Sequence, residues 1–284
     1  MEGIQLKNAL KASAESREVF SEHIVVEEPL EIRVWDATTQ VFQSLSVTMR
    51  TPGRDLEMVT GFLFAEGIIR SNQDILKIEA QGQHILLLTL SPEISTQKLQ
   101  QERSFLSNAS CGICGKSHLG SIQHHSCYFP ATNWPVVPIE ILLSLPQKLR
   151  NHQNLFELTG GIHAAGLFSS DGQLLYLRED VGRHNALDKL IGKAVQEGQV
   201  PWRDKILVLS GRIGFELVQK ASMLGVAIIL AVGAPSSLAI ETAEEHGISL
   251  IGFTKVDRCN IYCGEGRVSA EARLLVKNTP QGHV

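Results

Sequence analysis

The chain has 284 residues, of which 43% are hydrophobic and 20% are charged, and its formal net charge is −4. This composition is typical of a globular protein and excludes a disordered one, and the length suits about two domains. The acidic balance disfavours a general nucleic-acid-binding protein, although it leaves room for a local basic pocket.

Three further features of the sequence concern the cellular location of the protein and the role of its cysteines. The first residues contain no apolar segment of the kind found in a secretory signal. The longest apolar run, 226–232, is far shorter than the roughly 20 residues that span a membrane. We therefore expect a cytoplasmic protein that does not bind membranes. Five cysteines in a chain of this length do not indicate a disulfide scaffold, and a close pair is more often catalytic or metal-binding.

The first half of the chain is predicted to hold one small domain. Residues 1–25 are predicted to be a polar lead-in. Residues 26–100 alternate in hydrophobicity, then show helical spacing, then alternate again, which predicts a small α+β roll in the order ββαββ. Residues 101–138 are predicted to be a loop that carries a C-x-x-C motif, followed by a linker.

The second half, residues 139–284, is predicted to form a larger α/β domain. Helices are expected at 139–152, 185–198, 215–225 and 236–247, and strands at 161–169, 173–178, 205–210, 226–232 and 248–254. Strands that alternate with helices predict βαβ units, a largely parallel sheet and helices on both of its faces.

The pair Cys111 and Cys114 is the first candidate for chemistry. With this spacing, two cysteines could close a reversible disulfide, bind half of a zinc site or carry a persulfide sulfur, and the thiolate is the active form in each case. Lys116 and His118 lie close by in sequence, and a nearby cation favours the thiolate. The spacing alone does not separate reactive chemistry from a structural role.

Two known uses of such a pair can be compared with its surroundings. Cys127, with His124 or His125, could complete a zinc site, but no second C-x-x-C is present, so zinc remains the minority option. A thioredoxin-type pair opens a helix directly after a core strand, whereas about twenty mostly polar residues precede Cys111. This context favours an exposed carrier loop.

Glycine-bearing turns follow two strands of the second half. Residues 210–212 and 233–236 each lead from a strand into a helix, with Ser236 or Ser237 as the N-cap. Ligands gather at the carboxyl ends of strands in such sheets, and Arg212 could bind a phosphate with two donors. Tight turns alone would explain either loop taken singly, and neither dinucleotide-binding nor Walker A motifs are present.

Two polar clusters lie beside these loops. In residues 179–185, Asp180 and Asn185 could be turn and cap residues, whereas Arg183 and His184 are less easily explained in that way. A second cluster, 159–163, ends in His163. A lone histidine is more often structural, but two such clusters near phosphate-suited loops favour a binding site.

Six segments, in this order, resemble the formate dehydrogenase accessory sulfurtransferase family (FdhD). They are TPGRDLEMVTGFLFAEGII at 51–69, SCGICGK at 110–116, TGGIHAA at 159–165, EDVGRHNALDKLIG at 179–192, SGRIGFELVQKA at 210–221 and APSSLAIE at 234–241. The resemblance spans about residues 25–265. Ordered blocks of this length are far more specific than a single C-x-x-C motif.

The resemblance implies a sulfur carrier. Members are thought to accept sulfur from a cysteine desulfurase as a cysteine persulfide and to pass it to the bis-molybdopterin guanine dinucleotide cofactor of molybdenum or tungsten (bis-MGD). The cofactor then enters the formate dehydrogenase apoenzyme. Cys111 corresponds to the persulfide cysteine and Cys114 to its partner. The resemblance also allows a homodimer, and it implies neither a tightly bound catalytic metal nor a nucleic-acid partner.

A cofactor-binding segment is implied at Phe253, Thr254, Lys255, Val256, Asp257 and Arg258. Lys255 stands where a second arginine is common, and Cys263 stands where a residue such as threonine is expected. Arg183, His184, His163 and Arg212 are expected to join this pocket. The runner-up hypothesis is a chaperone that binds the cofactor without covalent sulfur chemistry.

The resemblance further implies that residues 139–284 form a cytidine-deaminase-like α/β/α domain. Zinc deaminases carry H-x-E followed later by P-C-x-x-C. Here His163 is followed by two alanines, and the C-x-x-C motif comes earlier in the chain. We therefore do not expect deaminase chemistry even if the fold is shared.

Overall fold

The computed structural model describes residues 3–94 and 128–269. The chain begins with an antiparallel hairpin of β1 (Ile4–Ala12) and β2 (Arg17–Val25), where the sequence led us to expect a polar lead-in. Its larger apolar side chains are exposed, among them Leu6, Leu10 and Val19. Lys7 lies opposite Glu22 and Lys11 lies opposite Glu18, and such cross-strand pairs of opposite charge stabilise a ladder by about 0.2–1 kcal/mol each.

The expected ββαββ order follows. Its elements are β3 (Glu28–Asp36), β4 (Val41–Arg50), α1 (Asp55–Ala65), a 3-10 turn (Asn72–Asp74), β5 (Ile75–Ala80) and β6 (Ile85–Leu90). The four strands form one sheet in the order β4-β3-β6-β5, in which β3 and β6 are parallel. Alternate side chains of β3, including Leu30, Ile32 and Val34, are buried and face the core.

The remaining elements make up the larger part of the chain. The helices are α2 (Ile139–Arg150), α3 (Asn154–Thr159), α4 (Arg183–Gln196), α5 (Phe215–Ser222) and α6 (Ser237–Glu245). The strands are β7 (Val137–Pro138), β8 (His163–Ser169), β9 (Leu174–Asp180), β10 (Lys205–Leu209), β11 (Ile228–Ala231), β12 (Ser249–Gly252), β13 (Asn260–Cys263) and β14 (Val268–Ser269), with a 3-10 turn at Glu265–Arg267.

Six of these strands form one sheet in the order β13-β12-β11-β10-β8-β9. The sheet is mixed, and the prediction of a largely parallel sheet was wrong. Strands β10, β11 and β12 are mutually parallel, as their crossover helices require. Strand β8 pairs antiparallel with both β9 and β10, and β13 pairs antiparallel with β12. The short connections between β8 and β9 and between β12 and β13 return the chain directly beside the strand it has just left.

Helices cover both faces of this sheet. On one face, α2 packs its buried leucines against alternate strand residues such as Phe168, Ile206 and Leu230. On the other face, α4 and α5 pack against residues such as Leu167, Leu207 and Ile229. This gives the α/β/α layering expected from the resemblance, whereas the cytidine-deaminase-like assignment stays a prediction. No helix within residues 3–94 and 128–269 is long and apolar enough to span a bilayer.

Helix α1 joins the small sheet to the larger one. Its Gly61 lies against α4 so closely that a Cβ atom there would stand 1.8 Å from the carbonyl oxygen of Asp188. On α4, a Cβ on Gly192 would stand 1.7 Å from the carbonyl oxygen of Glu57. The two helices therefore touch backbone to backbone, and one continuous hydrophobic cluster includes residues of both sheets.

Substitution of either glycine should destabilise the fold. In an isolated helix, Gly→Ala stabilises by about 1 kcal/mol. Here the added methyl group would push two backbones apart, so Gly61→Ala should lower the free energy of unfolding by about 3 kcal/mol, measured by urea denaturation. Leu56→Ala, at an exposed position of the same helix, should change that free energy by less than about 1 kcal/mol. Unchanged stability of Gly61→Ala would contradict the close crossing.

Candidate functional site

The predicted cofactor-binding residues converge on one edge of the large sheet. Because β10, β11 and β12 are parallel, the loops that follow them leave from the same edge. Strand β8 runs the other way, so its first residue, His163, lies there too, paired with Asp180 at the end of β9. Arg183 and His184 then open α4, Arg212 follows β10, and residues 253–258 follow β12.

The loops after β10 and β11 are bound to each other. The Gly233 N–H donates to the Gly211 carbonyl (3.1 Å), and the Ile213 N–H donates to the Ala234 carbonyl (3.0 Å). A Cβ on Gly233 would stand 2.8 Å from the Gly211 carbonyl oxygen, so the glycine permits this approach. These N–H groups are engaged within the protein, which favours the reading of these glycines as turn and packing residues. Ser236 caps α6 as expected, accepting from the Ala239 N–H.

A cavity of about 730 Å³ opens beside this edge. Its walls come from α2 and the turn after it, from α3 and the glycine turn that leads into β8, and from the loops after β10, β11 and β12. The strand-end residues that line it are His163, Ser210, Val232, Thr254, Lys255 and Val256. Four of the predicted cofactor-binding residues therefore lie at one cavity.

The interior of the cavity is mainly apolar, with a small number of polar groups. Leu143, Leu149 and Ile162 line it, and Phe156 lies under the guanidinium of Arg150 at 4.0 Å from the ring centre. Such a lining is typical of sites that hold the apolar and aromatic parts of a small molecule.

Two buried polar atoms of the cavity walls have no hydrogen-bond partner among the described residues. They are Gln153 Nε2 and Thr254 Oγ1. A buried polar group left unpaired costs about 1–3 kcal/mol, and such groups are uncommon in folded proteins. Both atoms belong to residues that line the cavity, and both are covered by protein atoms.

His163 lies between the cavity and the start of α4. Burial lowers the pKa of His163, the positive charge of Arg183 and then that of His184 lower it further, and Asp180 opposes them. A Cβ on Gly211 would stand 3.2 Å from the His163 ring, so this glycine gives the imidazole its room. The imidazole is therefore neutral near pH 7 and able to donate or accept a hydrogen bond.

Arg183 and His184 occupy the first turn of α4, away from the cavity lining. His184 Nε2 lies 3.3 Å from a carboxylate oxygen of Glu216 on α5. The Nε of Arg183 is buried and has no partner within the described residues. These two residues share the sheet edge with His163 and give it a local positive charge.

The acidic and amide residues of the 179–185 cluster are structural. Glu179 accepts from the N–H groups of Leu155 and Phe156 and so holds the start of α3. Asp180 accepts from the Gly182 N–H and lies 2.7 Å from the ammonium of Lys189. The Asn185 side chain donates to the Met49 carbonyl, which ties α4 to the small sheet. The cluster therefore fixes the walls of the site.

Residues 253–258 form the outer rim. Phe253 has a left-handed backbone (φ 49°) and an exposed ring, while Thr254 directly after it is buried. The Lys255 N–H donates to the Arg258 carbonyl (2.8 Å), which closes the loop. Lys255 and Arg258 are exposed, and Arg258 lies 3.6 Å from Asp257. Arg212 is exposed on the neighbouring loop. Lys255 and Arg150 belong to the cavity lining, whereas Arg212 and Arg258 do not.

Residues 25–269 match the FdhD/NarQ family. The chain belongs to this family. It is 43% identical over 256 residues to the sulfur carrier protein FdhD of Mycolicibacterium paratuberculosis, covering 87% of this chain and 92% of that protein. It is 39% identical over 258 residues to FdhD of Sulfurisphaera tokodaii, covering 91% of this chain and 96% of that protein.

A solved structure shares the fold of this FdhD/NarQ family member. It is the crystal structure of a protein assigned as a formate dehydrogenase accessory protein, from Desulfotalea psychrophila, with a TM-score of 0.69 and 22% sequence identity. The similarity covers 94% of this chain and 99% of that chain. The agreement extends over both sheets.

The cysteine pair of the family motif, Cys111 and Cys114, lies outside the described residues, as do the candidate zinc ligands His124, His125 and Cys127. The two described cysteines are unsuited to nucleophilic chemistry. Burial raises the pKa of both the Cys259 and the Cys263 thiols, and Cys263 donates to the Ile248 carbonyl. Within 3–94 and 128–269, no group of three or more histidine, cysteine or acidic residues could hold a metal ion.

Gln153 is a site residue that sequence reasoning missed. It follows α2 directly after the predicted helix 139–152, at a position for which the sequence predicted no function. The feature that identifies it is a buried side-chain amide without a hydrogen-bond partner, and a sequence pattern does not show whether a side chain has a partner. Phe156 and Arg150 were missed for the same reason, since they become cavity walls only when α2 and α3 pack against the sheet.

The imidazole of His163 should titrate below the ordinary histidine pKa of about 6.5. The unfolded chain then binds more protons than the folded one in this range, so the stability that neutral His163 contributes is complete above the ordinary pKa and is lost as the pH falls. NMR titration of the ring measures the pKa. Arg183→Gln should raise it, whereas Arg212→Gln, at an exposed position, should leave it unchanged. A midpoint at or above 6.5 in the parent would contradict the buried setting.

Proposed function

We propose that this chain is a sulfur carrier that holds sulfur as a persulfide on Cys111 and transfers it to bis-MGD, in support of a formate dehydrogenase. The observation that carries the proposal is 43% identity, over 87% of the chain, to a protein named sulfur carrier protein FdhD. The C-x-x-C motif and the cavity at the sheet edge support it independently.

The first step proposed is a transfer between cysteines. The Cys111 thiolate attacks the outer sulfur of a persulfide on a cysteine desulfurase. A new S–S bond forms on Cys111 as the donor's S–S bond breaks, and the donor cysteine leaves as a thiolate. Lys116 and His118 favour the attacking thiolate through their nearby charge. Cys114 is proposed as the partner thiol of this step.

The second part of the proposal concerns the sulfur acceptor. A cavity of about 730 Å³ lies within the usual range of small-molecule sites, about 300–1,000 Å³. A guanine dinucleotide has flat bases and charged phosphates. The apolar walls suit a base, whereas exposed Lys255 and Arg258 suit phosphates. The residues present therefore fit one nucleotide end of the acceptor.

The chain's own residues then bind and orient this acceptor. Thr254 and Val256 would contact the nucleotide within the cavity, and Phe253 offers an exposed ring for stacking. Neutral His163, at the start of β8, would donate or accept a hydrogen bond. Bound bis-MGD would supply the metal and dithiolene chemistry that receives the sulfur.

Mass spectrometry tests the persulfide. After incubation with a cysteine desulfurase and cysteine, the parent chain should gain one sulfur atom on Cys111, and Cys111→Ala should lose this adduct. Cys259→Ala is the matched control and should keep the adduct, because the Cys259 thiol has a raised pKa. An adduct of parental yield in Cys111→Ala would contradict persulfide formation on Cys111.

The same variant, Cys111→Ala, distinguishes the proposed sulfur carrier from the runner-up function, a cofactor-binding chaperone. A chaperone that binds the cofactor without covalent chemistry would need no thiol at position 111. If Cys111→Ala restored full formate dehydrogenase activity to cells that lack the parent protein, the chaperone would replace the sulfur carrier as the preferred function.

Isothermal titration calorimetry with GDP tests the acceptor site. The parent should bind GDP, and Arg258→Ala should weaken binding by about tenfold, because a charge-assisted phosphate contact is worth about 1.5–3 kcal/mol in general and less at an exposed site. Arg70→Ala, an exposed arginine of the small roll, should bind GDP as the parent does. Equal GDP affinity of Arg258→Ala and the parent would remove Arg258 from the site.

A further inference from the structure

Helix α3 contributes Phe156 to the cavity wall, yet none of its six residues is buried. The helices before and after it along the chain are anchored more firmly. Helix α2 buries Leu142, Leu145 and Leu149, and α4 buries most of its length. Segments with few buried apolar contacts open at a lower free energy than the core of a protein. Of these three helices, α3 is therefore the one that can leave its place most easily.

A side chain of the neighbouring strand β9 holds the start of α3. The two carboxylate oxygens of Glu179 accept the backbone N–H groups of Leu155 and Phe156, each at 3.0 Å. The first N–H groups of a helix have no acceptor within the helix itself. Gln153, at the N-cap position, supplies no side-chain acceptor for them. Glu179 therefore replaces the missing cap from a separate element of the fold.

Two glycines follow α3 before strand β8 begins. Gly160 is the C-cap of the helix and has a left-handed backbone (φ 66°), and Gly161 comes directly after it. A Cβ atom on Gly160 would meet no described atom within 4 Å, so no neighbour restricts this residue. Because glycine reaches more backbone conformations than other residues, this pair provides a hinge between α3 and the sheet.

The contact between α3 and Glu179 carries a cost that its release would remove. Burial raises the pKa of the Glu179 carboxyl, and the two N–H groups and the positive charge of Arg150 oppose this effect without cancelling it. The ionised carboxylate is therefore poorly solvated in this position and would regain water if α3 moved away. Asp180, the next residue, differs because the Lys189 ammonium lies 2.7 Å from its carboxylate.

We propose that α3 is a lid on the cavity and that Glu179 is the positioning residue that holds this lid closed. The structure shows the closed position, in which Phe156 is part of the wall. On opening, the two hydrogen bonds to Glu179 break and α3 turns about Gly160 and Gly161, which enlarges the cavity. This inference rests on the proposed nucleotide-binding function and adds a step to it, since a lid admits a ligand and then retains it.

Amide hydrogen exchange, followed by NMR on the full chain, tests the contact with Glu179. In the parent, the Leu155 and Phe156 amides should be protected at least about tenfold less than a core amide such as that of Leu190 in α4. Glu179→Ala removes both acceptors and should lower the protection of the two amides by a further factor of about ten. Glu157→Ala, at an exposed position of the same helix, should leave their protection within about twofold of the parent.

The same measurement with GDP tests the role of α3 as a lid. Saturating GDP should raise the protection of the Leu155 and Phe156 amides in the parent, and folded Glu179→Ala should release GDP faster than the parent does. Unchanged protection of both amides in Glu179→Ala would show that Glu179 does not hold α3.

The remaining outcomes separate this inference from the proposed function. If the parent binds GDP without any change at Leu155 and Phe156, α3 is a fixed wall and the lid is wrong, while the nucleotide site stands. If the parent binds no nucleotide, the proposed acceptor site fails, whereas a loss of protection confined to Glu179→Ala still supports the hold of Glu179 on α3.

Discussion

Helices α1 and α4 touch backbone to backbone at Gly61 and Gly192, and this contact fixes the position of α4, whose first turn carries Arg183 and His184. Helix α4 begins at the sheet edge that carries the candidate site, so fixing its axis fixes its first turn. Near the crossing, Glu57 of α1 forms an ion pair with Arg178 of β9, and Lys189 of α4 forms one with Asp180. A larger side chain at the crossing would move these charges apart together with the helices.

The buried charges and the unpaired polar atoms form two contrasting environments at that edge. On the α4 face, buried ionic groups are matched: Asp180 has a lysine and backbone donors, and Asp188 has Lys220 at 2.8 Å. Removing one partner of such a pair costs about 3–5 kcal/mol, because it leaves a buried charge unpaired. On the α2 face, Gln153 and Thr254 are buried without partners. The Nε of Arg183, at the start of α4, is a third buried side-chain atom that has no partner among the described residues.

Local patterns predicted most elements, because amphipathic helices and buried strands carry their own apolar spacing. The hairpin of β1 and β2 was missed because both strands are exposed along most of their length, so neither shows the alternation of buried and exposed residues that marks a half-buried strand. The mixed sheet was not predicted because the direction of each strand depends on how the chain connects the strands and on which strands pair. The convergence of His163 with residues 254–256 was foreseen from the strand-end rule and the family resemblance. Gln153 could not be foreseen, since a missing partner is a property of the folded environment.

The two described cysteines, Cys259 and Cys263, are poorly placed for a reaction at sulfur. Cys259 and Cys263 lie on or beside β13, where burial disfavours the thiolate and raises the pKa of each thiol. A carrier thiol has to meet a protein donor and then a large anionic acceptor, so it needs an ionised and accessible sulfur, which neither buried position offers. The C-x-x-C pair stands in a polar stretch next to Lys116 and His118, a setting that favours the thiolate.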